Sequence, residues 1–218
     1  MKKTLLPLLF VLLFATLACS ISSNSSSANN DDNILFQDDF SNTGSGWDSA
    51  EWEDGLTDYR DGVYQMHVKA PSYDIWSNPG KNFDGNISVE VDATKIGGDD
   101  DNNFGLICRY TGDLDAPNYY YFNISSDGFA IIGKVTGGSQ EYLSSEKMEP
   151  SDVIKQGNAS NHLRADCVGS NLTFYVNNQK IATATDTAFT SGDVGLMAGT
   201  FDIPSTQINF DNFIVRKP

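Results

Sequence analysis

The chain has 218 residues, 39% hydrophobic and 20% charged, with 29 acidic against 14 basic side chains and a formal charge of −15. That length suffices to bury a core without metal or disulfide staples. The acidic balance excludes nucleic-acid phosphates as partners of the folded surface; it leaves neutral sugars, cationic partners or Ca²⁺ open.

Lys2 and Lys3 form a basic start, and Leu5 to Ala18 an apolar stretch too short for a comfortable membrane span. The stretch ends in Thr16-Leu17-Ala18-Cys19, followed by Ser20. This resembles the lipobox of bacterial lipoproteins, in which the Cys is diacylated and becomes the new N-terminus. Thr16 departs from the Leu, Val or Ile usual three places before that Cys. The resemblance implies a signal peptide over residues 1–18 and lipidation at Cys19. It also implies an exported protein held at the cell membrane or outer membrane through its lipid. Simple secretory cleavage with Cys19 left as a thiol is the other reading. Residues 19–33, rich in Ser, Asn and Asp, cannot bury enough apolar surface to order themselves and read as a flexible tether.

From residue 34 to 218 the pattern has period two. Ile87, Val89 and Val91 alternate with Ser88, Glu90 and Asp92. Tyr120, Phe122 and Ile124 alternate with Tyr119, Tyr121 and Asn123, and Leu172, Phe174 and Val176 with Thr173, Tyr175 and Asn177. Turn signals such as Asp61-Gly62, Asp84-Gly85, Gly97-Gly98, Asp127-Gly128 and Gly137-Gly138 separate the runs. Strands are predicted near 34–40, 62–70, 86–96, 103–111, 118–125, 128–136, 140–146, 161–168, 171–176, 179–185, 193–201 and 206–216. Residues 147–157 have room for one helical turn. Many short strands with frequent turns imply an all-β, two-sheet antiparallel sandwich.

Two cysteines remain after Cys19. Cys108 shares a face with Phe104, Leu106 and Tyr110, and Cys167 with Leu163 and Ala165. Both thiols point into the core by parity, and an oxidising compartment favours one disulfide between them, across neighbouring strands. Two inert buried thiols are the alternative.

The stretch from about Leu35 to Arg216 resembles the concanavalin A-like lectin/glucanase superfamily, the laminin-G-like jelly rolls, in its bacterial lipoprotein version. The matching pieces are Asp38-Asp39-Phe40-Ser41 with Gly46-Trp47, Asp61-Gly62-Val63-Tyr64, the run Gly105 to Tyr110, and Tyr119 to Gly128. Asn161-His162-Leu163-Arg164, Leu172 to Asn177, Gly192 to Leu196 and Ile208 to Phe213 complete the order. The resemblance implies a jelly-roll sandwich. It fixes function less well, because this fold hosts lectins, glycanases, adhesion modules and passive domains.

Laminarinase-type relatives use a Glu-x-Asp-x-x-Glu strand. Here Glu90-Val91-Asp92 keeps two carboxylates at period two, and Lys95 stands where the third would fall. A retaining glycosidase needs a carboxyl pair, one member with a raised pKa, and a nearby Lys opposes that. No catalytic residue is assigned. The face opposite the core carries Glu90, Asp92, Arg109, Tyr119, Tyr121, Asn123, Arg164, Asp166 and Tyr175. If these strands share one sheet, aromatics stand beside hydrogen-bonding groups, the mix that sugars take. A solvated face with cross-strand Arg–carboxylate pairs reads equally from the same residues. Trp47, Trp52, Tyr59, Tyr73 and Trp76 lie in or beside loops as a second aromatic platform, with Trp47 placed in the core by the resemblance. Asp99, Asp100 and Asp101 supply oxygens of the kind Ca²⁺ takes but lack EF-hand spacing. No metal is assigned, a structural Ca²⁺ stays open, and no other cofactor is expected. The expectation is a lipid-anchored, non-catalytic recognition domain for glycans. A passive envelope or adhesion module with a protein partner is the first alternative, and a glycoside-processing enzyme the second.

Overall fold

The computed structural model describes residues 33–218. The expected signal peptide, Cys19 and all but the last residue of the expected tether lie outside the described residues. Within them the chain is all β, and no helix is long and apolar enough to cross a membrane.

The strands are, in chain order, β1 (Ile34–Asp38), β2 (Ala50–Glu51), β3 (Gly55–Arg60), β4 (Val63–Val68), β5 (Asp74–Ser77) and β6 (Phe83–Asp84). The longer β7 (Ile87–Gly98), β8 (Asn102–Thr111), β9 (Asn118–Ile124) and β10 (Phe129–Thr136) follow, then β11 (Ser139–Tyr142) and β12 (Glu149–Pro150). The chain closes with β13 (Ser160–Val168), β14 (Asn171–Val176), β15 (Gln179–Thr185), β16 (Ser191–Thr200) and β17 (Thr206–Arg216). One sheet runs β15-β14-β13-β7-β17-β4-β3-β2, with β1 also on β17. The other runs β11-β10-β9-β8-β16-β5, with β12 on β10 and β6 on β16. They have nine and eight strands. The predicted helical turn over 147–157 is instead β12 followed by a turn closed by the Ile154 N–H to the Ser151 carbonyl.

The period-two residues meet between the sheets. Ile87, Val89 and Val91 of β7 and Leu172, Phe174 and Val176 of β14 face Tyr120, Phe122 and Ile124 of β9. Phe122 and Phe174 touch across the gap as an edge-on pair at 5.7 Å. At one end, the Asp38 carboxylate accepts from Trp47 Nε1 at 3.0 Å and from the Phe40 N–H at 2.8 Å. Phe40 takes φ 55°, a costly conformation for a bulky residue. Its ring is held 5.5 Å from both Trp47 and Tyr64. The opening Asp-Asp-Phe…Gly-Trp pieces are therefore a structural clamp.

Cys108 and Cys167 form a disulfide, as the parity argument requires. The expected placement on neighbouring strands is corrected: β8 and β13 lie in different sheets, so the bond staples the sandwich front to back. Closing a loop with a sequence separation of 59 is worth about 4 kcal/mol in chain-entropy arithmetic.

A second correction concerns Arg109, expected on the non-core face. The pairing of β8 with β9 slips between Cys108 and Thr111, so Cys108 and Arg109 both turn inward and Tyr110 outward. Arg109 adopts φ 58° and is 1% exposed. Its guanidinium donates to the carbonyls of Cys167 at 3.1 Å, Gly169 at 2.9 Å and Phe189 at 2.8 Å. Replacing it by Met keeps the stem and orphans three carbonyls, each costing roughly 1–3 kcal/mol when buried. Arg109→Met should therefore lower the unfolding free energy by several kcal/mol in urea titration. A midpoint within error of wild type would show that those carbonyls reach water.

Candidate functional site

The nine residues assigned to one non-core face do not share a sheet. Glu90 and Asp92 on β7, Arg164 and Asp166 on β13 and Tyr175 on β14 lie on the outer side of the nine-stranded sheet. Tyr119, Tyr121 and Asn123 lie on β9, on the outer side of the other, and Arg109 is interior.

The first group is drawn into charge pairs and hydrogen bonds, although the Arg164 and Arg216 Nε atoms are buried without an aligned hydrogen-bond partner. Arg216 pairs with Glu90 at 3.3 Å and Arg164 with Asp166 at 3.2 Å. His162 sits between Asp92 at 2.8 Å and Glu90 at 3.8 Å. Ser88 donates to Asp166 at 2.6 Å, and the Arg164 guanidinium lies 3.8 Å over the Tyr175 ring. Lys95 is buried, its ammonium bound to Asp100 and Asn158. This face is a mesh of paired polar groups, with Arg216–Glu90 and the His162 contacts running between strands and Arg164–Asp166 along β13.

The outer side of the eight-stranded sheet differs. Ile107, Tyr119, Tyr121, Ile131, Val135 and Met197 bury one another there, with Trp76, Tyr110 and Met148 at the margin. Tyr110 and Tyr119 stack at 5.7 Å. Tyr119 and Tyr121 thus face outward as parity requires. They are only 3% and 2% exposed, because this face carries an apolar layer of its own.

Beside that layer opens a hollow of about 230 Å³, lined by Asp74, Asn103, Tyr121, Asn123, Gln140 and Thr200 among others. Asn123 Nδ2 donates to Asn103 Oδ1 at 3.0 Å, and Asn103 Nδ2 donates to Asp74 Oδ1 at 3.0 Å. Gln140 Nε2 donates to Asp74 Oδ2 at 3.3 Å. Tyr121 Oη and Asn123 Oδ1 are buried and have no partner among the described residues. A buried polar atom in that state calls for an explanation, and a ligand hydroxyl is one. Two strand glycines make the room. A Cβ on Gly133 would lie 2.2 Å from Tyr121 Oη, and one on Gly199 would lie 1.8 Å from Asp74 Oδ1. Asp74, Asn103 and Gln140 escaped the sequence reading; the only signal was glycine within strand patterns, which marks close approach.

Trp52, Tyr73 and Trp76 of the proposed loop platform do come together around a second hollow, whereas Trp47 and Tyr59 are core. Asp99, Asp100 and Asp101 do not converge: Asp100 is taken by Lys95, and Asp99 accepts from the Asp101 N–H at 2.9 Å. Among the described residues no three His, Cys, Asp or Glu side chains are arranged to hold a metal.

Burial pushes the Asp74 carboxyl above the ordinary carboxylate range, against the pull of Asn103 and Gln140. The folded state then binds this proton more tightly than the unfolded chain, with its value of 3.8. Ionised Asp74 costs stability in full above its folded pKa, and the cost fades as pH falls through it. Asp74→Asn should therefore melt above wild type at neutral pH, with the difference shrinking toward about pH 4 in calorimetry. A variant that melts lower at neutral pH would show that the two amides overcompensate the burial.

No protein-family model and no curated protein sequence matches the chain. Solved structures do. A carbohydrate-binding module, CBM66, of Bacillus subtilis superposes with a TM-score of 0.63 at 18% identity, covering 79% of this chain and 96% of that one. A protein of unknown function with galectin-like fold from Bacillus subtilis gives 0.65 at 11%, covering 85% and 96%. A β-glucanase of Bacillus licheniformis gives 0.59 at 14%, covering 84% and 97%. At these identities the likeness speaks to architecture, and residues 34–218 have the concanavalin A-like jelly-roll fold.

Proposed function

We propose that this chain is a lipid-anchored protein of the cell envelope whose sandwich recognises carbohydrate without cleaving it. The hollow beside Tyr121 is the site. The observation that carries this is the Asn123–Asn103–Asp74 relay, ending in a carboxylate acceptor beside the unpartnered Tyr121 Oη and Asn123 Oδ1. A sugar presents hydroxyls that donate and accept at once, so adjacent acceptor and donor–acceptor groups suit it. Neutral amide and phenol groups dominate the wall, as in sites that orient a ligand by a few placed polar groups. The names of two structural neighbours, a carbohydrate-binding module and a β-glucanase, support the same ligand class.

Binding is preferred over hydrolysis because general acid–base cleavage needs two carboxyl groups across the bond, roughly 5–9.5 Å apart. Asp74 and Asp202 are the acids at the hollow. Asp74 is held by two amides, and Asp202 is exposed on the loop after β16. Asn123→Ala should abolish retention on the neutral polysaccharide columns that hold wild type, with the circular dichroism spectrum unchanged. Release of reducing ends by wild type, lost in Asp74→Asn, would make the protein a glycanase instead.

The anchor rests on the apolar segment ending in Leu17-Ala18-Cys19. Acyl chains supply membrane affinity at about 0.8 kcal/mol per buried CH₂. Wild type should enter the detergent phase on phase partitioning and Cys19→Ser remain in water. Partition of both into water would remove the anchor from this reading.

A further inference from the structure

Asp74 does not belong to one hollow alone. It also lines a second, of about 390 Å³, whose walls include Trp52, Tyr73, Trp76 and Leu114. Tyr73 is 37% and Leu114 77% exposed, so apolar surface stands open to solvent on the far side of a polar acceptor. That is the amphipathic demand of a pyranose or furanose, with an apolar ring face to stack and a rim of hydroxyls to donate. The first hollow, at about 230 Å³, is smaller than the ~300–1,000 Å³ of ordinary small-molecule sites, whereas the second, at about 390 Å³, lies within that range, and the two share Asp74.

Charge narrows the occupant further. Neither hollow is lined by Lys, Arg or His, while Asp48, Asp74 and Asp202 line one or the other. A uronate, sialate or sulfate placed there would meet the half-buried Asp74 carboxylate and the exposed Asp48 and Asp202 with no lining cation to compensate them.

We propose that the two hollows form one cleft for an uncharged oligosaccharide of at least two units, with Asp74 accepting from hydroxyls on both sides of the junction, and that acidic sugars are rejected. This rests on the carbohydrate reading of the first hollow and adds a length and a charge to its ligand.

A printed array tests it. It should carry fructan, β-glucan, galactan, mannan and N-acetylhexosamine oligomers of one to six units, beside uronate, sialylated and sulfated counterparts. Signal should be confined to uncharged series and should rise from one unit to two or three. Titration calorimetry with the best series then follows on Tyr73→Ala and Leu114→Ala, both exposed positions whose truncation spares the core. Each should weaken binding of the longer oligomers about tenfold and flatten the length dependence. Equal binding of monomer and oligomers by wild type, or undiminished oligomer binding by both variants, overturns the joined cleft. Stronger signal on the acidic series overturns the charge selection. Silence across the array overturns the carbohydrate reading itself and this inference with it.

Discussion

The sandwich turns on one extra residue in β8. The slip between Cys108 and Thr111 sends two successive side chains inward, one forming the inter-sheet disulfide and the next a buried cation. Among the described residues Arg109 has no carboxylate partner. Burial pulls its pKa down from the usual arginine value, yet a guanidinium stays protonated and spreads its charge over five donors. Three carbonyls take up that charge, one within β13, one just after it and one shortly before β16. A bond and a cation side by side thus tie β8 to the opposite sheet. The slip also costs backbone, since Gly192 is the one residue type that fits against it: a Cβ there would stand 2.4 Å from the Tyr110 carbonyl.

The same slip prepares the outer face. Because Arg109 is used inward, Tyr110 emerges outward and stacks on Tyr119, extending the apolar layer that shelters Tyr121. Without that layer Tyr121 would be a surface phenol fully met by water. With it, Oη is buried at the edge of a hollow and keeps a capacity that the protein leaves unused. The unpartnered hydroxyl is a by-product of packing on the outside of a sheet. The nine-stranded sheet took the other course and covered its outer face with paired charged groups.

How much of this was legible in the sequence follows from what parity can and cannot say. Alternation told inward from outward along β7, β9 and β14, and it put Cys108 and Cys167 in the core. It could not tell which strands share a sheet, because that depends on pairing order, so two outer faces of opposite chemistry were read as one. Nor could it see the bulge at Arg109, since one added residue flips the phase with no mark on residue types. The short strands β2, β3, β5, β6 and β12 went unread for a related reason. Asp-Ile-Trp-Ser at 74–77 is four residues long and buried at Ile75 and Ser77, too brief for a period to show. Asp74, which begins it, became visible only through its neighbours in space.

Asp74 is also where local packing works against stability. A sheet interior disfavours glycine by roughly 0.5–1 kcal/mol relative to alanine, and this sheet accepts Gly133 and Gly199 so that Tyr121 and Asp74 can lie against the backbone. It further accepts a carboxylate whose burial opposes ionisation, and two polar atoms left without partners. None of these choices improves the fold. Each is a local loss tolerated because a large inter-sheet core, a disulfide and the Arg109 clamp hold the frame elsewhere. Several of these losses meet at one hollow, where Gly133 and Gly199 stand against Tyr121 and Asp74 and two buried polar atoms lack partners, and that is the pattern expected if the hollow is the binding site proposed above.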